Sequence, residues 1–337
     1  MKKLTVLISI VCLVMANAGF TQNHWRVNNA QGIDADFTTV QDAFDAANDN
    51  DIVYIEGTNI PYAGASLSKP LTIIGPGYFL ASNDSTQANL SSSIINNITL
   101  NATASGSYLA GLTIAQLTVG ANNVIVERNN ISTIYVGMTN TNVSNVIIRM
   151  NYLGSISDEN NYNAYSTAVI RNNIITTYIS TSNRAAWYIY NNTLFGNHYV
   201  LIQVCNSIIK NNIVQNTYPY EDRFCINTDI TRNNTIEFNV CNKAPFNLPV
   251  LPNNIWDADM SQVFTQTGNN ETRFYLIENS LAAGYGEGGI DCGAFGDATP
   301  YVLSGMPPVP HIFKATVPLS ATPTSGLPVN VKIKSQK

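Results

Sequence analysis

Arg128-Asn129-Asn130-Ile131, preceded by Val124-Ile125-Val126, decides the fold because the phrase returns. It reappears as Arg149-Met150-Asn151-Tyr152 after Val146-Ile147-Ile148 and as Arg171-Asn172-Asn173-Ile174 after Val169-Ile170. Tyr190-Asn191-Asn192-Thr193, Lys210-Asn211-Asn212-Ile213 and Arg232-Asn233-Asn234-Thr235 follow. The last Asn of each phrase, Asn130, Asn151, Asn173, Asn192, Asn212 and Asn234, advances by 21, 22, 19, 20 and 22 residues. The runs between are short and rich in Val, Ile, Thr and Tyr, which suits strands and is too short for helices. A period near 21 residues fits one three-strand coil of a parallel β-helix. A leucine-rich repeat has a similar period, but its Leu spacing is absent. Asn tolerates the left-handed backbone of a sharp corner, and its amide can bond the Asn of the next coil. The six asparagines are therefore expected to form a ladder.

Working outward, Ile94-Ile95-Asn96-Asn97-Ile98 and Tyr108 to Ile114 read as less regular coils, and the stack is expected over 51–296. Phe37, Val40, Phe44 and Ala47 have helical spacing, with Thr38 or Thr39 able to start the helix. That predicts an amphipathic helix within an N-terminal cap, 19–50, covering the edge of the first coil. The acids between Asp34 and Glu56 read as its solvated face. From 297 to 337 the prolines argue against further coils, leaving a Pro-rich cap or tail in which Val329 to Ile333 is a last strand.

Met1-Lys2-Lys3, the apolar run Leu4 to Met15 and Ala16-Asn17-Ala18 read as a secretory signal peptide, 1–18. The run is too short to span a bilayer, and no later segment qualifies. The net charge is −5, and cleavage would leave 15 basic against 22 acidic residues, or −7. That speaks against nucleic acid as a partner. Only 12% of residues are charged, so Asn, Ser, Thr and Tyr carry solubility. Cys205, Cys225, Cys241 and Cys292 would remain, an even number in an oxidising compartment, predicting at least one disulfide. Cys205 with Cys225 spans one coil, Cys241 with Cys292 would close the stack, and Cys225 with Cys241 competes.

The predicted helix, the strand from Asp51 to Gly57, Ser68-Lys69-Pro70-Leu71-Thr72-Ile73-Ile74-Gly75 and the Asn-Asn coils together resemble the pectin lyase-like superfamily. More narrowly, they are similar to secreted right-handed β-helix proteins of Bacteroidetes type. Gly286 to Gly296 and Pro300 to Pro310 are similar to the way such chains close. The resemblance covers nearly the whole mature chain and implies an all-β right-handed parallel β-helix. It leaves activity open, because the superfamily holds lyases, hydrolases and adhesins.

Its hydrolases imply clustered acids, and its lyases imply Ca²⁺ with acidic ligands and a basic residue. Between residues 90 and 215 the acids are Glu127, Asp158 and Glu159 alone, so no convergent carboxylate pair is expected on the coils. Asp158-Glu159 is a weak candidate for Ca²⁺ and fits a solvated loop tip better. Glu221-Asp222-Arg223, flanked by Tyr218, Tyr220 and Phe224, suits sugar stacking, although a solvated loop is the plainer reading. His198 in its turn has no acid a coil away to orient it as a base. Trp187, Tyr188 and Tyr190 alternate near Tyr165, Tyr178 and Tyr199, as core packing or as a carbohydrate platform.

Arg128, Arg149, Arg171, Tyr190, Lys210 and Arg232 precede the asparagines and are expected to form one outward stripe. Either their stems cover the strands, or the stripe holds an acidic glycan with Tyr190 as a stacking point. Two functional classes fit this chain. One is a non-catalytic extracellular rod binding polysaccharide or another surface, of which a structural spacer is the ligand-free form. The other is a polysaccharide lyase or glycoside hydrolase. The shortage of acids favours the first.

Overall fold

In the computed structural model, which describes residues 22–138, 141–158, 165–182, 184–320 and 326–335, the chain alternates between two long parallel sheets. Strands of the first run Tyr108–Ala110, Ile125–Glu127, Val143–Arg149, Ser166–Arg171, Ala185–Tyr190, Ile208–Lys210 and Thr235–Glu237. Each pairs in parallel with the next in this series. Between them the chain visits the second sheet through Thr113–Val119, Asn130–Val136, Tyr152–Ser157, Ile174–Ser180, Thr193–Gly196 and Ile213–Asn216. This topology is compatible with a parallel β-helix. The leader, 1–18, lies outside the described residues. No helix among the described residues is long and apolar enough to cross a membrane.

The register explains the repeat. Val53, Ile73, Leu109, Val126, Ile148, Ile170, Ile189, Ile209 and Ile236 stand in one column, all buried. Ile95, Ile114, Ile131, Leu153, Ile175, Leu194, Val214 and Cys241 form its counterpart in the second sheet. Like side chains stack along the axis, so one well-packed coil specifies the next. Trp187, a candidate for the carbohydrate platform, belongs to this core. It is fully buried, with its indole N–H on Ser166 Oγ at 3.1 Å.

Strand pairing starts earlier and ends earlier than the expected 51–296. His24–Val27 already pairs with Ile52–Ile55, inside the stretch read as cap alone. The last strand of the parallel sheets is Val240–Cys241, and Val240 bridges Ile255. From Met260 to Gly305 the described elements are short 3-10 turns. A helix, Val40–Ala46, starts at Thr39, whose hydroxyl accepts from Asp42 N, and buries Val40, Ala43 and Phe44. Within the Pro-rich tail, Pro310–Thr316 and Asn330–Ser335 pair as an antiparallel hairpin.

The asparagine ladder exists, with two changes of membership. Nδ2 of Asn129 donates to Oδ1 of Asn151, and so on through Asn173, Asn192, Asn212 and Asn239 to Asn254, at 2.9–3.2 Å. Asn130 is one residue late and opens the second-sheet strand. Asn234 serves the opposite corner, where Oδ1 accepts from Ser207 N and Nδ2 donates to Val204 O. The left-handed residue is the one before each ladder Asn: Arg128, Met150, Asn172, Asn191, Asn211, Phe238 and Asn253, with φ between 52° and 59°. Asn123, Asn145, Asn206 and Asn233 are left-handed at the other corner, which accounts for the second family of Asn pairs.

Two outcomes follow. Asn173, itself fully buried, bonds Ile148 O, Arg171 O and Asn192 Oδ1 and accepts from Asn151. Asn173→Ala strands those groups and should cost about 3 kcal/mol or more, while Asn145→Gly at the exposed corner should cost under about 1 kcal/mol. Urea unfolding of both variants checks the contrast. Separately, burial of Asp51 would raise its carboxyl, but hydrogen bonds from Trp25, Asn23 and Asn48 outweigh this and hold it below the usual range. Its stabilising contribution is thus present above the unfolded carboxyl's pKa, near about 3.9, and is lost as pH falls through the lower folded value. Asp51→Asn should flatten that acid limb in thermal melts taken from pH 5 down to 2.

Candidate functional site

The outward column of the first sheet reads Glu127, Arg149, Arg171, Tyr190, Lys210, Glu237. Arg128 and Arg232, expected in it, are elsewhere. Arg128 takes the left-handed corner position and its guanidinium bonds Met306 O at 3.0 Å. Arg232 ends a 3-10 turn and bonds Cys205 Sγ at 3.3 Å. The cations that do stack are matched by acids. Arg149 pairs with buried Glu127, which also accepts from Tyr108. Arg171 lies 3.5 Å from Asp297, and Lys210 lies 3.2 Å from Glu237 and 2.6 Å from Glu287. A stripe so neutralised is a poor receptor for an acidic polymer.

A strap, residues 286–306, covers the same column. It is held by the left-handed asparagines. Asn172 donates to Ala294 O and Gly296 O, Asn191 donates to Asp291 O, and Asn211 Oδ1 accepts from Glu287 N. A buried polar knot anchors its end. Glu271 Oε1 accepts from Tyr301 Oη and Ser304 N, Oε2 accepts from Asn83, and Tyr78 and Tyr301 hydroxyls meet at 2.6 Å. Burial pushes the Glu271 carboxyl above its usual value, against these hydrogen bonds. The knot ties strap to body, with Glu271 fully buried.

Glu237 and Glu287 converge on Lys210, which fills the space between them where a substrate and water would have to stand. Asp158 accepts from Ser182 N and Oγ, and burial raises its carboxyl. Its companion in the weak Ca²⁺ candidate, Glu159, lies outside the described residues.

The cysteines correct the expected disulfide. Among the described residues none joins Cys205, Cys225, Cys241 and Cys292. The 20-residue step misleads because Val200 pairs with Phe224 and Ile202 with Ile226, an offset of 24 that sets Cys225 beside Leu201. Cys225 bonds Val214 O and lies beside Cys241, whose thiol burial pushes well up. Cys292 bonds Phe238 O, and burial pushes it up to about 12. Burial that raises a thiol in this way makes Cys241 and Cys292 inert core residues.

The far corner of the second sheet gathers the other candidates. The unbroken strand Ile174–Ser180 is matched in the next coil by two, Thr193–Gly196 and Val200–Gln203. A further coil on, the break widens between Ile213–Asn216 and Phe224–Ile226. The corner opens there. His198 stacks on Tyr178 with ring centroids 4.5 Å apart. Arg223 lies 4.1 Å over Tyr199 and 5.2 Å from Tyr218, and Tyr218 meets Tyr220 at 5.3 Å. Asp222 holds Arg223 at 2.6 Å, and Lys243 binds the carbonyls of Tyr218 and Tyr220. Tyr199 is 49% exposed and Tyr220 61%, so the rings are presented to solvent while their backbone is fixed. Tyr165 and Tyr188 are also exposed, on the first sheet's side, outside this cluster. Sequence reading found Glu221-Asp222-Arg223 and its tyrosines one loop at a time. The coil offset that brings Tyr178, His198 and Tyr199 beside them is not written in any one motif. No protein-family model matches the chain, and no curated protein matches its sequence.

Proposed function

We propose that this is an exported right-handed β-helix protein of the pectin lyase-like type, at the cell surface or secreted, that binds extracellular polysaccharide without catalysis. The single observation that carries the reading is the aromatic corner. Tyr178, His198, Tyr199, Tyr218, Tyr220 and Arg223 come from three successive coils, with His198, Tyr199 and Tyr220 exposed and Tyr178 and Tyr218 half-buried beside fixed hydrogen-bonding groups. Stacking on tyrosine faces combined with polar contacts is the chemistry that recognises sugar rings. Consecutive coils lie about 4.8 Å apart, so rings on three coils span roughly 10 Å, about two sugar units. Right-handed winding is the expected hand, since parallel strands joined by crossovers take it almost without exception. In this reading 1–18 is the leader, the helix within 19–50 shields the first coil's edge, and 297–337 is the Pro-rich C-terminal cap or tail.

Affinity gel electrophoresis against neutral and acidic polysaccharides tests the proposal. Retardation by at least one polymer is expected. Tyr199→Ala with Tyr220→Ala should weaken it about tenfold, the loss of roughly 1.4 kcal/mol of ring contact, with the melting temperature held within about 2 °C. Retardation by no polymer, or undiminished retardation of the double variant, overturns it.

A further inference from the structure

Beside the aromatic corner lies a cleft of about 290 Å³, lined by Tyr152, Thr176, Phe195, Thr217, Asn270 and Arg273. Its body wall is the outer face of the second sheet. Its other wall is the 3-10 turn Thr272–Phe274, held down by the buried Glu271 next to it. Arg273 projects between two rings. Its guanidinium carbon is 4.7 Å from the Phe195 ring centre and 5.3 Å from that of Phe274. Those rings meet each other at 5.7 Å.

The contrast with the other arginines matters. Arg26, Arg149, Arg171 and Arg223 sit against carboxylates, and Arg128 against a carbonyl. Among the described residues no hydrogen bond or ion pair is made by the guanidinium of Arg273. Ring contact occupies a face of a guanidinium and leaves its five N–H donors pointing along the plane. The donors of Arg273 are not sealed off, because it is only half-buried and edges the cleft. A planar fork with its edge free, backed by rings that keep it flat, matches a carboxylate bidentately. Thr217 and Thr176 hydroxyls already donate to Gly196 O and Leu153 O, so each has lone pairs left to accept from a hydroxylated ligand. Phe195 and Tyr152 offer an apolar side. The volume sits at the small end of ligand pockets and admits one ring rather than a chain. The larger cavity near Arg128, about 860 Å³, lacks this feature, since that guanidinium bonds Met306 O.

We propose that this cleft is a binding site for the carboxylate of a single ring-sized acid, with Arg273 as the group that holds it. The inference stands apart from the glycan reading of the neighbouring corner. A free cyclic acid and an acidic sugar at the end of an oligosaccharide share this chemistry.

Calorimetric titration of the whole chain with galacturonate and cyclohexanecarboxylate, each against its neutral counterpart, galactose and cyclohexanemethanol, provides the test. The acids should bind at least tenfold more tightly than the neutral compounds. Arg273→Gln should erase that preference, and Arg273→Lys should retain part of it, since lysine keeps the charge and loses the fork. Asn270→Asp, an exposed change that leaves the core untouched, should also block the acids by placing a carboxylate on the cleft's rim. An acid-ended oligosaccharide binding more tightly than galacturonate marks the glycan as the source, and equal binding marks the free acid. Equal affinity for acids and neutral compounds, or unchanged acid binding in folded Arg273→Gln and Asn270→Asp proteins, overturns the proposal. Because Tyr199 and Tyr220 are not changed here, failure of this site and failure of the aromatic corner are read separately.

Discussion

The constraint on which this molecule depends is the satisfaction of buried backbone groups at one corner, where each strand leaves the first sheet. Water does not reach that corner, so its carbonyls and amides must find partners within the protein. One Asn amide per coil supplies them. Asn173, for example, serves its own coil through Arg171 O, the previous coil through Ile148 O and the next through Asn192. Aspartate would lack the donor and would bring a buried charge, and alanine would leave every partner stranded. Because donor and acceptor sit on one short side chain, the bonds run in one direction along the axis. They fix the spacing of the coils and align the aliphatic columns beneath.

That corner geometry decides what the neighbouring surface can do. Turning the chain into the ladder residue requires a left-handed residue just before it. Asn172, Asn191 and Asn211 fill that role, and their amides grip the strap. The strap then lies over the cation column and supplies Asp297 and Glu287 to it. A sequence with few charges therefore uses many of them in pairs. A stripe that looks like a receptor in one dimension is a seam in three.

Where the repeat rules, the sequence was legible. The β class, the period, the aliphatic columns and the presence of stacked asparagines follow from local pattern. Phase errors arose where the phrase was ambiguous. Asn129 and Asn130 are chemically alike, and only pairing of Glu127 with Arg149 shows which belongs to the ladder. The next coil after Asn212 is 27 residues long, so Asn239 was hidden while Asn234, at the expected distance, belonged to the opposite corner. The cysteine pairing failed for the same reason, since a spacing of 20 was matched to an offset of 24. Arg273 lies outside the repeat, in a stretch with no periodic neighbour to give it meaning.

Coil length can change only where the ladder does not hold it, and the ladder leaves the far corner of the second sheet free. The step of 27 residues from Asn212 to Asn239 exceeds the step of 20 before it both here, at 217–223 against 197–199, and at the opposite corner, at 227–234 against 204–207. At the far corner of the second sheet the added residues appear as exposed tyrosines on fixed loops. A cation with a free edge has a harder route. Placed in the repeat, like charges about 4.8 Å apart repel by roughly 0.9 kcal/mol even in water. Such a column persists when acids flank it, as Glu127 and Glu237 do at its two ends, and the acids then consume the binding capacity. An arginine brought in from the non-repeating segment has no copy above or below it. Phe195 on the body and Phe274 on the segment hold it flat without neutralising it, so its charge remains for a ligand.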